Sequence, residues 1–139
     1  MVYNLYLFKF LINENEICGW KHGKCYKYHK NNKIRIIISY KNNESHRKFM
    51  GFYENGNVHY TGNYRNNKLH GKYYLWNENG TLSEIQNYKN DEPDDKQYIW
   101  HDNGKLSKIA NYKNGIYDGK CIGWYESGHP YIYKKWIKI

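Results

Sequence analysis

The chain has 139 residues, a formal net charge of +9, 40% apolar and 19% aromatic residues, and 3 cysteines. That length suits one domain, and so few apolar residues exclude a thick aliphatic core, leaving large rings of roughly 150–250 Å² each to supply the buried area. An odd cysteine count gives no even disulfide framework, and without a recognisable secretory leader the expected setting is reducing and cytoplasmic.

Residues 1–22 come first and lie outside any clear period. The stretch Tyr3 to Ile12 is apolar but interrupted by Lys9. It is too short for a membrane span of about 20 residues, so a capping strand or half-repeat over an open sheet edge is expected. From residue 23 onward the sequence repeats every 24 residues, in units 23–46, 47–70, 71–94, 95–118 and a shortened 119–139. Gly56, Gly80, Gly104 and Gly128 hold the phase, with Asn32 in the first unit. Aromatic residues hold it at Tyr28, Phe52, Trp76, Trp100 and Trp124, and again at Tyr40, Tyr64, Tyr88, Tyr112 and Trp136. A fixed period of this size marks units that bury their apolar surface on their neighbours.

Within each unit, Asn-Gly between apolar-aromatic runs predicts a β-hairpin. A three-residue loop such as Glu78-Asn79-Gly80, ending in a bulged glycine, sets Trp76 opposite Leu82, whereas a two-residue turn sets it opposite Ser83. The first register pairs aromatic with aliphatic in every central unit and is preferred. A second turn is predicted at Asn43, Asn67, Asp91 and Gly115, residue types that tolerate left-handed backbone. Alternation of period two, as in Ile34, Ile36, Ile38 and Tyr40, completes an all-β reading.

The line Tyr60-x-Gly62-x-Tyr64-x-x-Asn67-x-x-x-Gly71 resembles the MORN repeat, and Tyr112 to Gly115 followed by Gly119-Lys120 resembles its variant subclass, of the YwqK-like antitoxin and giant-virus type. The resemblance covers roughly residues 16 to 136. It implies an elongated, curved single-layer antiparallel sheet of tandem hairpins serving as a non-enzymatic scaffold for interactions. Asn32, Arg47, Asp91 and Asp95 depart from the family at glycine positions, while Glu84, Gln86 and Lys108 fall where apolar residues suit the pattern. Distortion or contact points are expected in units one and three to four.

For function, the aromatic columns Tyr28, Phe52, Trp76, Trp100, Trp124, Tyr64, Tyr88 and Tyr112 are the candidate partner-binding face, with a protein as the expected partner. The ladder Lys24, Lys48, Lys72, Lys96 and Lys120, joined by Lys41, Arg65, Lys89 and Lys113, is the alternative. Cations in rows attract an anionic membrane surface or, less suitably, nucleic acid. Pairing of open sheet edges into a homodimer is a further expectation. Cys18, His22, Cys25 and His29 carry the ligand types of a zinc site in an unfamiliar spacing, and repeat position already accounts for three of them. No nucleophile elbow, carboxylate pair or phosphate-binding glycine loop is present, so no catalytic residue and no cofactor are expected.

Overall fold

The computed structural model describes residues 16–18 and 22–136. They form one open antiparallel sheet: β1 (Glu16–Cys18), β2 (His22–Tyr28), β3 (Ile34–Lys41), β4 (Glu44–Phe52), β5 (Val58–Arg65), β6 (Lys68–Trp76), β7 (Leu82–Lys89), β8 (Glu92–Pro93), β9 (Asp95–Trp100), β10 (Leu106–Lys113), β11 (Ile116–Trp124) and β12 (Pro130–Trp136). Each strand pairs with its sequence neighbour, except that β8 lies off the path beside β7. Strands β2 to β12 make five hairpins, whose edges lie a few residues ahead of the unit boundaries drawn from the sequence. Most of residues 1–22, where a cap is expected, lies outside the described residues; Glu16–Cys18 extends the sheet by pairing with β2.

Two alternating turns build this ladder. At one end, Gly56 N donates to Tyr53 O at 2.9 Å and Tyr53 N to Asn57 O at 2.9 Å, closing the three-residue loop with a bulged glycine. Asn55 Oδ1 accepts from Asn57 N at 2.8 Å, so the asparagine of each Asn-Gly pair holds the turn while glycine takes the positive φ. Trp76 accordingly faces Leu82, Phe52 faces Val58 and Trp100 faces Leu106, the register preferred from sequence. At the other end the chain turns on two residues, both with positive φ: Asn42-Asn43, Asn66-Asn67, Asn90-Asp91 and Asn114-Gly115. A two-residue hairpin of this hand matches the strands' own twist.

Successive turns are also bonded to each other. Asn67 N donates to Ser45 O at 3.1 Å, and Asn67 Oδ1 accepts from Ser45 N. Leu69 N likewise donates to Asp91 Oδ1 at 2.7 Å. In the next unit Pro93 has no N–H to give, and its partner Gly115 has no side chain to accept; only the bond from Gly115 N to Pro93 O, at 2.8 Å, remains. Two departures from the repeat thus compensate each other.

The expected distortion is confined to the junction of the third and fourth units. There Asp94 splits what is a continuous strand in β4, β6 and β11, and β9 keeps only two register pairs with β7.

Asn32, Arg47, Asp91 and Asp95 all take the left-handed backbone of the glycines they replace, with φ of 63°, 66°, 72° and 69°. Left-handed backbone costs an L-residue such as arginine about 1–2 kcal/mol, part of which glycine returns as chain entropy. Replacing Arg47→Gly, or Asp95→Gly, is expected to raise unfolding stability by about 1 kcal/mol in urea titrations; no gain at either position would contradict the strain.

Candidate interaction faces

Because cross-strand partners share a face and neighbours along a strand alternate, the register divides the side chains into two sets. Phe49, Gly51, Tyr60, Gly62, Tyr64, Tyr73, Gln86, Tyr88, Ala110 and Tyr112 lie on one side, the tyrosine face. Lys72, Tyr74 and Trp76 with their partners Asn87, Ile85 and Leu82 lie on the other, the tryptophan face. The eight aromatic residues expected on a single partner-binding face are therefore not brought together. Tyr28, Phe52, Trp76, Trp100 and Trp124 share the tryptophan face, whereas Tyr64, Tyr88 and Tyr112 are on its reverse. The reason is an odd count: Tyr88 pairs with Gly71, five residues before Trp76 on β6.

The tyrosine face is the fold's own core. Phe49, 5% exposed, packs at a tilt against Tyr64 at 4.5 Å between centroids and meets Tyr60 and Tyr73 at 5.9 and 6.3 Å. Such ring pairs contribute about 0.5–1.5 kcal/mol beyond their area. Room for them comes from glycine: a Cβ on Gly62 would stand 2.9 Å from the Phe49 ring, and one on Gly51 would collide with Tyr60. Towards the C-terminus the same face turns polar. Gln97 Nε2 donates to Glu84 Oε1 at 2.6 Å, Tyr112 OH donates to Gln97 Oε1 at 3.3 Å, and Lys108 Nζ donates to Tyr117 OH at 2.8 Å. Gln86, 2% exposed, donates to Asn87 O. The polar residues at apolar positions thus find partners.

The tryptophan face has no second layer over it among the described residues. Its rows run from an exposed lysine through a ring to a half-buried tryptophan: Lys72, Tyr74, Trp76 and Lys96, Tyr98, Trp100, with Tyr74–Trp76 and Tyr98–Trp100 stacked at 5.7 and 6.1 Å. All five ladder lysines are exposed there; the first four lie across from Ser39, Asn63, Asn87 and Asn111, and Lys120 from Lys135. Two depressions open on this face. One of 330 Å³ is lined by His22, Lys24, Ser39, Lys41, His46 and Arg47, and one of 510 Å³ by Lys96, Asn111, Asp118, Gly119 and Lys120 among others.

Of the Cys/His group, Cys18 and Cys25 face each other across β1 and β2, while His29 is engaged elsewhere. His29 Nε2 bonds Phe52 O of the next unit at 2.8 Å, and His101 Nε2 bonds Trp124 O at the same distance. Tyr53 OH serves Trp76 O in the same way, so this column ties units together. Cys25, 1% exposed, is disulfide-bonded, and the register sets Cys18 directly opposite it. Glu16–Cys18 is a strand within the segment where a capping strand is expected. Among the described residues no three metal-ligating side chains are gathered.

Comparison with known families agrees with the geometry. The MORN repeat variant model matches residues 21–42, 48–66, 69–90 and 96–114, more than half of the chain, so the protein belongs to the MORN repeat variant family. The structure adds a fifth hairpin, β11 to β12, with Trp124 opposite Pro130 as the repeat requires. No curated protein matches the chain.

Burial raises the phenols of Tyr60, Tyr64, Tyr73, Tyr88 and Tyr112 above the ordinary value near 10, Tyr73 to about 12. Tyr117 is lowered, first by its hydrogen bond with Lys108 and then by that with Tyr112. Raised phenols stabilise the fold fully below pH about 10, and that contribution fades as pH climbs towards their folded values. Stability in urea is expected to fall steeply from pH about 10 to 12, with Tyr117 the first tyrosinate seen by ultraviolet absorbance. Loss of the 295 nm signal at Tyr117→Phe only at the alkaline end of the titration would contradict this order.

Proposed function

We propose that this chain is a non-enzymatic scaffold that holds a protein partner on its tryptophan face. Proteins built from these repeats are commonly associated with protein or membrane interaction. The observation that carries the narrower reading is the division of the aromatic residues. The tyrosines spend their area on one another and on glycine, whereas Trp76, Trp100 and Trp124 remain half-buried beside exposed lysines on a face that no other described residues cover. Tryptophan anchors rimmed by cations are the composition of a binding hot spot for an acidic, partly apolar surface. The rows recur with the repeat, which suits an extended partner engaged at several units. Uniform attraction to any anionic surface is less well supported, because Asp94 and Asp118 interleave with the ladder in the later units.

The test is capture of partners by the full chain beside a Trp76→Gln/Trp100→Gln variant whose fold is checked by circular dichroism. A partner is expected to be retained by the parent at moderate salt and lost by at least about tenfold in the variant. Equal retention by a folded variant would refute this face as the binding surface.

A further inference from the structure

On the tyrosine face the repeat columns change character towards the C-terminus. The column of Ile36 and Tyr60 continues as Glu84 and Lys108, and that of Phe49 and Tyr73 continues as Gln97 and Cys121. Tyr117 stands in a column otherwise filled by Ser45, Leu69 and Pro93. Several of these departures meet at one place. Tyr117 lies opposite Tyr112 in the register, and the two rings stack at 4.5 Å between centroids. The Tyr117 hydroxyl oxygen accepts from Lys108 Nζ at 2.8 Å, and the same ammonium stands 5.1 Å from the ring centroid. Lys108 and Tyr112 flank Ala110 on one face of β10, so the Tyr117 side chain spans that alanine, which is 0% exposed.

A phenol is a weak nucleophile until a neighbouring cation or hydrogen-bond donor favours its oxyanion. At Tyr117 both Lys108 and Tyr112 bond the oxygen, and the phenol is accordingly lowered, whereas burial raises its neighbours Tyr88 and Tyr112. The residue is nevertheless 39% exposed, so the oxygen is both prepared and within reach of solvent. We propose that Tyr117 is a covalent modification site for acyl phosphates, with Lys108 holding its oxygen ready for attack. In the step the Tyr117 oxygen attacks the carbonyl carbon, and the bond from that carbon to the bridging oxygen breaks. Inorganic phosphate leaves with the electron pair, the phenolic proton passes to solvent, and an aryl ester remains on Tyr117. The Lys108 ammonium beside the attacking oxygen also draws an anionic leaving group, which suits an acyl phosphate better than an uncharged donor. Cys121, opposite Ala110 in the register and not disulfide-bonded, is the competing nucleophile of the patch. The patch lies on the reverse of the tryptophan face and is independent of a partner held there.

The test treats the full chain with acetyl phosphate, and separately with N-acetylimidazole as an uncharged donor, and locates the acetyl groups by peptide mass spectrometry. Exposure alone favours Tyr125 and Tyr131, 57% and 43% exposed, over Tyr117 at 39%. Tyr117 is instead expected to be esterified by acetyl phosphate about fivefold or more faster than either at pH about 8. Its rate is expected to level off at lower pH than that of Tyr125. The groups that set this profile are Lys108, Tyr112 and Cys121 around the phenol, Glu84 and Asp95 on the far side of Tyr112, and Lys134 opposite Cys121 by register. Lys108→Met is expected to abolish the lead and return the profile to that of Tyr125, while Lys108→Arg restores most of it, both variants being checked for fold by circular dichroism. If Lys108→Met unfolds, the order of the three tyrosines in the unaltered chain still decides. Labelling in order of exposure, acetylation of Cys121 in place of Tyr117, or an unchanged lead in a folded Lys108→Met overturns the site. A lead for Tyr117 with N-acetylimidazole but none with acetyl phosphate overturns the assignment to acyl phosphates.

Discussion

Everything in this fold depends on left-handed backbone at fixed intervals. Among the described residues the single sheet has no covering layer and so no thick core to fix its strands, and register must come from the turns. Each period contains three such places: the bulged glycine of the three-residue loop, the two-residue turn at Asn66-Asn67 and its kin, and the strand kink at Gly71 and its kin. Because those φ values are kept even by Arg47, Asp91 and Asp95, the geometry is set by the array and the residue conforms to it.

From the register follow the two faces, and from the faces the division of labour. Tyrosine and phenylalanine pack over Gly51 and Gly62 on one side, supplying a core one ring deep. Lysine, tyrosine and tryptophan form open rows on the other. Units are joined by hydrogen bonds reaching to the equivalent place in the next hairpin, as from Tyr53 to Trp76 and between Ser45 and Asn67. A stack of nearest-neighbour contacts of this kind tolerates local change when the adjacent unit changes with it, as Pro93 and Gly115 show.

Much of this was legible in the residues because turn chemistry is local. Asn79-Gly80 named its own loop, and pairing aromatic with aliphatic chose Trp76 against Leu82. The first residue of the second turn was overlooked, although Asn42, Asn66, Asn90 and Asn114 are invariant within the chain. The split of the aromatic residues was also legible in principle, since five steps from Gly71 to Trp76 change the face, but it needed the pairing of Gly71 with Tyr88. What no single column carried was the contrast between the clefts. Lysine recurs in every unit, and only the fold shows that Lys24 lines a depression with His46 and Lys96 one with Asp118.

The division into two faces is tested most directly by nuclear Overhauser contacts from the Trp76 indole. The indole is predicted to contact Tyr74 and Leu82 and to give no cross-peak to the rings of Tyr73 or Tyr88; contacts from the indole to either of those rings would contradict the register and the two faces built on it.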